Sequence, residues 1–199
     1  MSVEFIRGPN VYLRETIATD LDNIKDSLAD WDWFPLSTDQ TKTILKGALI
    51  QMRNIERPYK DTSRFFESFT ICKNSDNSFV GFTQYRVTPG KEVVISYNAG
   101  LPAVRGTGLL NEASLIRDAA IFSELECTFY TNKLDPQFTS SLRDYQTLEG
   151  TEVSSRSNRT LKLVKVTKSG YDTWRAANAS SVPSYTFSGG SYTPPQDRE

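Results

Sequence analysis

Apolar residues recur along this chain in two spacings, one typical of β-strands and one typical of an α-helix. Residues 92–101 form a run rich in β-branched and aromatic side chains, and Pro102 ends it. Gly106 and Gly108 follow. Beyond them, apolar positions step by four, three and four residues along one helical face: Leu109, Ala113, Ile116 and Ala120. Residues 127–131 then have the composition of a strand. This order predicts a crossover unit whose two strands are parallel neighbours in one sheet.

The same spacings predict the other elements on either side of this crossover unit. Before it, strands are predicted at residues 11–14, 69–73 and 79–87, and helices at 19–28 and 41–56. After it, helices are predicted at residues 136–144 and 170–177, and a closing pair of strands at 152–155 and 160–167. Thr19 is expected to cap the first helix, with Asp20 and Asp22 in its first turn, where negative charge is favoured.

The turn that leads into the helix of the crossover unit has the features of an anion-binding site. Backbone N–H groups at a helix start have no intrahelical acceptor, and the helix dipole adds partial positive charge there. Gly106 and Gly108 let the backbone approach a phosphate without an intervening Cβ, and Arg105 adds a positive charge beside it. The alternative interpretation is that the two glycines only make a tight turn, since a short Gly-x-Gly pattern is common.

Residues 105–110, Arg-Gly-Thr-Gly-Leu-Leu, resemble the acyl-CoA-binding signature of the GNAT N-acetyltransferases. That signature is Arg or Gln, two residues, Gly, one residue, and then Gly or Ala. Arg105 and Gly108 match it, whereas Leu110 stands where Gly or Ala is expected. The resemblance implies that acetyl-CoA is the acyl donor. It also implies the residues that bind the donor: Val104, Arg105, Gly106, Thr107, Gly108, Leu109, Leu110 and Asn132.

The order of elements from about residue 11 to residue 168 also resembles this family. It implies an α/β fold of the GNAT-like acyl-CoA N-acyltransferase type, with a mixed central sheet flanked by helices. We therefore expect a GNAT-like domain at residues 1–177. Residues 178–199, rich in Ser, Gly, Pro and Tyr, form a C-terminal tail whose composition predicts disorder in isolation. If the tail is ordered, this domain, a second copy or a partner must hold it, and its natural anchors are Tyr185, Phe187 and Tyr192.

The resemblance also implies an amine acceptor, a base for the incoming ammonium and an acid for the leaving thiolate. The candidates in this chain are Glu92 as base and Tyr145 as acid. Glu92 lies at the edge of the predicted strand, whose middle holds Ser96 and Asn98. Arg143 stands near the position where the family usually has its tyrosine, and Tyr145 comes two residues later. Such a shift turns a helical side chain by about 200°.

Composition narrows the class of function. The net charge is −1 and the pI about 5.7, so charge gives no reason to expect nucleic acid or a membrane surface as a partner. The chain has no histidine, and its two cysteines are expected to be buried thiols, so no metal site is predicted. No run approaches the ~18 apolar residues of a membrane span. We expect a cytoplasmic protein, or a virion component in the alternative below.

Two hypotheses on function follow from these features. The first is an acyl-CoA-dependent N-acetyltransferase that acts on an amine, with Trp31, Trp33 and Phe34 facing the acceptor or, alternatively, anchoring a loop on the core. The second is a catalytically inactive GNAT fold that serves as a structural or interaction component of a larger assembly, such as a viral particle. Leu110, the displaced tyrosine and the tail favour the second hypothesis.

Overall fold

A computed structural model describes residues 4–29, 65–87, 92–134, 145–153 and 160–188 of the chain. The predicted helices at 41–56 and 136–144, and the aromatic residues Trp31, Trp33 and Phe34, lie outside these ranges. Nine strands of the described residues form one sheet. They are β1 Glu4–Arg7, β2 Val11–Glu15, β3 Phe65–Lys73, β4 Phe79–Val87, β5 Glu92–Gly100, β6 Phe129–Leu134, β7 Thr147–Val153, β8 Thr160–Thr167 and β9 Thr186–Phe187.

Three α-helices and several short helical turns accompany this sheet in the described ranges. The helices are α1 Leu21–Ala29, α2 Leu109–Ala119 and α3 Lys168–Ala177. Short 3₁₀ turns occur at Ala18–Asp20, Pro102–Val104 and Ala179–Ser181, and one π-helical turn, Ala120–Glu124, continues α2. No helix of the described residues is long and apolar enough to cross a membrane.

The strand order is β7-β8-β6-β5-β4-β3-β2-β1-β9, and only the contact between β5 and β6 is parallel. The other neighbouring strands pair antiparallel. Helix α2 connects β5 to β6, so the predicted crossover unit is confirmed. A two-residue turn cannot join parallel strands, because the chain must return along the sheet before the second strand starts.

The main apolar core lies between the sheet and the face of α2. Ala113, Ile116 and Ala120 of the predicted apolar stripe are buried there. They belong to one cluster with residues that alternate along the central strands, including Leu13, Phe69, Ile71 and Tyr85. Rings stack within this cluster, as in the contact of Phe5 with Phe69 at 4.5 Å between centroids. The period of two in the strands and of 3.6 in the helix brings these side chains to one face.

A buried ion pair joins β2 to the start of α1. The guanidinium of Arg14 donates to both carboxylate oxygens of Asp20, at 2.7 and 2.8 Å. The Thr70 hydroxyl and the Ile17 N–H also donate to Asp20, at 2.8 and 2.9 Å. The sequence predicts Asp20 in the first turn of this helix. In the structure α1 begins at Leu21, and the Asp20 carboxylate binds Arg14 instead.

Part of the C-terminal segment is held by the domain itself. Strand β9 pairs with β1, with Ile6 opposite Phe187, and the Phe187 ring meets Phe5 edge-on at 5.2 Å. The Tyr185 hydroxyl donates to Glu124 at 3.1 Å. Two of the three predicted tail anchors therefore contact this chain, and Tyr192 lies outside the described residues. The division of the chain at residue 177 stays a prediction.

The Arg14–Asp20 pair gives a stability prediction that depends on pH. Burial acts to raise the pKa of Asp20, but the hydrogen bonds from Arg14, Ile17 and Thr70 outweigh it and lower that pKa. A carboxyl with a lowered pKa stabilises the fold above its unfolded value of about 3.9, and this contribution is lost as the pH falls through the folded-state pKa. Asp20→Asn should lower the free energy of unfolding by about 3 kcal/mol at pH 7, since Arg14 loses its buried partner.

Urea unfolding of the wild type and Asp20→Asn at pH 7 and at pH 2.5 measures this effect. The difference between the two proteins should shrink at the lower pH. Asp76→Asn is the matched control, because Asp76 also has a lowered pKa but is exposed in the β3–β4 turn. A pH-independent difference for Asp20→Asn would contradict the prediction.

Candidate functional site

The parallel contact between β5 and β6 is short. It joins Glu92 to Phe129, Val93 to Tyr130 and Val94 to Thr131, and pairing of these two strands ends there. Strand β5 continues for six residues to Gly100, about 20 Å at the rise of a strand, while β6 continues beside β8. Two parallel strands that both continue after their pairing stops leave a gap between them. The described strands therefore separate in the middle of the sheet.

A β-bulge lies in β5 at the closed end of this gap. Gln84 of β4 pairs with Tyr97, and the next residue, Tyr85, pairs with Ile95, so Ser96 is an extra residue in β5. A bulge bends its strand and takes backbone groups out of the regular ladder. Ser96 is two residues beyond Val94, the last residue of β5 that pairs with β6. The distortion is thus located where the two strands begin to separate.

The chain that leaves β5 at the open end of the gap forms a compact turn before α2. Arg105 and Thr107 donate their N–H groups back to Pro102 and Val104, at 3.2 and 3.3 Å. The Thr107 hydroxyl also donates to the Val104 carbonyl, at 2.6 Å. These bonds fold the turn on itself without using any group of the sheet. Gly106 directly follows Arg105, the first of these donors.

The glycines of this turn have backbone conformations that favour glycine. Gly106 has a φ of 76° and Gly108, which precedes the first residue of α2, has a φ of 87°. A Cβ built on either residue would meet nothing within 4 Å, so the space above the turn is open. Within the described part of the chain, no acceptor is recorded for the N–H groups of Gly106, Gly108, Leu109 and Leu110. The turn and the helix start can therefore receive an anion.

Arg105 supplies the nearest positive charge to this turn. Its side chain is exposed and takes part in no ion pair among the described residues. The two neighbouring apolar residues of the predicted site, Val104 and Leu109, are half-buried against the core cluster. They therefore support the turn from below, and its polar backbone faces outward.

Leu110, which departs from the GNAT signature, packs beneath the helix start. Its side chain lies against Gly100, the last residue of β5. A Cβ at Gly100 would be 2.5 Å from Leu110 Cδ1 and 2.7 Å from Cδ2. The glycine in the strand thus provides the space that the larger side chain in the helix occupies. Leu110 does not narrow the open side of the turn, and its substitution is compatible with anion binding there.

The remaining predicted site residues are spread along the gap and its surroundings. Asn132 is half-buried in β6, one residue beyond the last pair with β5. Glu92 is exposed and is the first residue of β5, at the end where the strands are still paired. Glu92 and Gly100 are eight positions apart, about 26 Å along a strand. The structure brings Asn132 and the glycine turn to the open part of the gap and places Glu92 at its opposite end.

Tyr145 is in the core, where it belongs to a hydrogen-bonded group that sequence reasoning missed. It is 5% exposed, and its hydroxyl donates to Asp118 Oδ2 at 2.8 Å. The Tyr130 hydroxyl donates to the same oxygen at 3.0 Å. Arg117 donates to Asp118 Oδ1 through Nε and Nη2, at 3.0 and 2.7 Å. We call Arg117, Asp118, Tyr130 and Tyr145 the Asp118 cluster.

Burial and the neighbouring residues shift the pKa values of Arg117 and Tyr130 in this cluster. Burial lowers the pKa of Arg117, but the interactions with Asp118, Tyr130 and Tyr145 together outweigh burial and hold that pKa above its ordinary value. Burial, with the Asp118 charge, raises the pKa of Tyr130, so this hydroxyl stays protonated and donates. The signal in the sequence is the adjacent Arg117 and Asp118 within the predicted helix. The apolar stripe does not reveal that all residues from Ala113 to Ala119 are buried, including those on the opposite face.

The described residues hold two further groups of chemical interest, the cysteines and the acidic side chains. Cys72 and Cys127 are buried thiols, as the sequence predicts, and burial raises the pKa of the Cys72 thiol. Over the described ranges, no group of three or more acidic or cysteine side chains is arranged to hold a metal ion.

Comparison with known proteins identifies the fold. No family model matches the chain, and no curated protein matches it. Solved structures do match: a GNAT-family acetyltransferase from Bacillus anthracis has 14% identity and a TM-score of 0.61, over 83% of this chain and 99% of its own. A probable GNAT-family acetyltransferase from Chromobacterium violaceum has 21% identity and a TM-score of 0.61, over 83% and 87%.

A third structure extends this comparison to an enzyme with a named substrate. The spermidine/spermine N-acetyltransferase SpeG from Vibrio cholerae has 13% identity and a TM-score of 0.61, over 83% of this chain and 96% of its own. The chain has the fold of the GNAT acetyltransferases, as its order of elements predicts. At these identities the likeness establishes the architecture, and the activity has to be argued from the site.

The contact between Gly100 and Leu110 leads to a prediction on packing. Gly100→Ala should lower the free energy of unfolding by about 1–3 kcal/mol, because its methyl group would overlap Leu110. Leu110→Ala removes the obstacle, so the double variant should be more stable than the sum of the two single effects predicts, by about 1 kcal/mol. Urea unfolding of the four proteins gives this coupling energy. Additive effects would show that the two residues do not share one space.

Proposed function

We propose that this chain is an acyl-CoA-dependent N-acyltransferase that transfers the acetyl group of acetyl-CoA to an amine. The observation that carries the proposal is the juxtaposition of the gap between β5 and β6 with the open glycine turn at the start of α2. A long, thin ligand with a diphosphate at one end and a thioester at the other has the shape that such a site accepts. The fold likeness to acetyltransferases supports the proposal but does not establish the activity.

The diphosphate is assigned to the glycine turn. Its backbone donors are the N–H groups of Gly106, Gly108, Leu109 and Leu110, and Arg105 adds charge without competing partners among the described residues. Each glycine lets the ligand approach the backbone where a side chain would block it. Val104 and Thr107 hold the shape of the turn through their mutual hydrogen bonds.

The acyl arm is assigned to the gap, between β5 and Asn132 of β6. On the side away from β4, the backbone of β5 beyond Val94 pairs with no described strand and can offer N–H and C=O groups to an extended ligand, as in strand addition. The bulge at Ser96 places irregular backbone at the closed end, where a backbone N–H can donate to the thioester carbonyl as charge develops there. Acetyl-CoA supplies the activated thioester: the amine nitrogen bonds to its carbonyl carbon, and the carbon–sulfur bond breaks.

Two protons must move in this reaction, one from the attacking ammonium and one to the leaving thiolate. Glu92 as base and Tyr145 as acid are our candidates, and a water chain is the alternative route for the first proton. Glu92 lies at the paired end of the strands, so a role as base requires such a chain. Tyr145 donates to Asp118, so a role as acid requires that this bond be exchanged for one to the thiolate.

No observation on the described residues supports the second hypothesis, an inactive fold within an assembly. Leu110 is accommodated by Gly100, and the aromatic anchors Tyr185 and Phe187 contact this chain. The amine of SpeG belongs to that enzyme, and nothing in the described residues of this chain selects spermidine.

Acetyl-CoA binding is the direct test of the proposal. Isothermal titration should show micromolar affinity for acetyl-CoA. Gly108→Val should raise Kd at least tenfold, because its side chain enters the open turn and its positive φ disfavours a branched residue. Gly150→Val is the matched control, since Gly150 lies on the exposed strand β7, where a Cβ makes only an ordinary contact with Leu163. No binding at millimolar acetyl-CoA would exclude the enzyme and favour the assembly hypothesis.

Steady-state kinetics with a panel of amines tests the two proton-transfer candidates. If Glu92 is the base, Glu92→Gln should lower kcat at least tenfold without a matching change in the KM for acetyl-CoA. If Tyr145 is the acid, Tyr145→Phe should lower kcat similarly, for every amine of the panel, because the leaving thiolate is the same in each reaction. A kcat within threefold of the wild type for either variant would remove that residue from the chemistry.

A further inference from the structure

The position of β6 depends on contacts other than its pairing with β5. Three residue pairs join β5 and β6, whereas six join β6 to β8 on its other side. The width of the gap therefore depends on the contacts that fix β6 relative to β5 and β4. The backbone pairing of β5 with β6 provides such contacts only at the closed end, up to Thr131.

The Asp118 cluster supplies a second attachment at that point. Tyr130 is the residue before Thr131, it is fully buried, and its hydroxyl bonds to Asp118. Its ring also stacks on Phe122, at 5.7 Å between centroids. The Tyr130 side chain, one residue before the last pair between β5 and β6, is thus fixed to the helix. Gln146, beside β7, donates to the same Tyr130 hydroxyl at 3.1 Å.

The cluster also reaches the strand on the far side of β5. Arg117 Nη1 lies 3.5 Å from the hydroxyl of Thr83 in β4, while its other nitrogens hold Asp118. In the sheet order β6-β5-β4, neighbouring residues of one helix thereby connect the two strands that flank β5. Asp118 is 0% exposed on its side chain and Arg117 is 4% exposed, so water does not weaken the connection.

We propose that Asp118 is a positioning residue that fixes β6 relative to β4 and β5, and so sets the width of the gap that receives the acyl arm. This inference rests on the proposed function for its consequence in binding. The helix that carries Asp118 also begins at the glycine turn. A single helix therefore fixes both the diphosphate end and the acyl end of the site, and Asp118 acts through Tyr130 and Arg117.

The test removes one hydroxyl at a time and leaves the rings in place. Tyr130→Phe deletes the donor from β6 to Asp118. Tyr171→Phe is the matched control, because the Tyr171 hydroxyl is buried in the same aromatic group but has no hydrogen-bond partner among the described residues. Asp118→Asn is a second test variant, and Tyr130→Phe decides the question if Asp118→Asn does not fold.

Two measurements on the full chain separate positioning from general stability. The first is amide hydrogen exchange without ligand, with β2 as internal reference. Tyr130→Phe should speed exchange at residues 131–134 about tenfold more than in β2, since a global loss of stability raises both alike. The second is the Kd for acetyl-CoA at a temperature well below the Tm of each protein, which should rise about fivefold. Tyr171→Phe should change neither quantity.

The outcomes distinguish this inference from the proposed function. Equal exchange in β6 and β2 for Tyr130→Phe, with a Kd within twofold of the wild type, would overturn the positioning role. Selective exchange in β6 together with an unchanged Kd would also overturn it, because the gap would then not depend on this attachment. If wild-type protein does not bind acetyl-CoA, the proposed function fails, and the exchange measurement alone still decides whether Asp118 positions β6.

Discussion

Parallel pairing between β5 and β6 is the constraint on which the rest of the structure depends. Parallel strands require a crossover, and here the crossover helix α2 starts at the open end of a gap between the strands it connects. The same connection thus creates a helix start with available N–H groups and an interruption in the sheet. Because the pairing ends at Val94, the last six residues of β5 pair with β4 alone, and their other edge lies in the region where we propose that a ligand binds.

Most of the architecture could be predicted from residue spacing, because the signals are local. The stripe from Leu109 to Ala120 marks α2, and Pro102 and the glycines mark its turn. Two strands were not predicted. Strand β1 is four residues long, and β9 has two residues in a segment without periodicity, so neither offers enough residues for a pattern. Both exist because they pair with a neighbour, a property that a short run does not encode.

The site was predicted less completely, since it depends on contacts between distant residues. The glycine turn could be found from residues 105–110 alone. The space for the Leu110 side chain could not be predicted in this way, because Gly100, which provides it, precedes Leu110 by ten residues and lies in another element. The Asp118 cluster joins residues that are up to 62 positions apart when Thr83 is counted with Tyr145. Spacing along one helix gives no indication of such partners.

Both edges of the nine-stranded sheet have features that discourage association with other chains. At one end, β9 covers part of β1 with only two residues, so the outermost strand is too short to recruit another. At the other end, the register of β7 shifts between Leu148 and Gly150, which leaves Glu149 as an extra residue in the edge strand. A charged bulge there interrupts the row of backbone groups that a foreign strand would need. A sheet opened in its middle is thereby kept from growing into an intermolecular sheet at its ends.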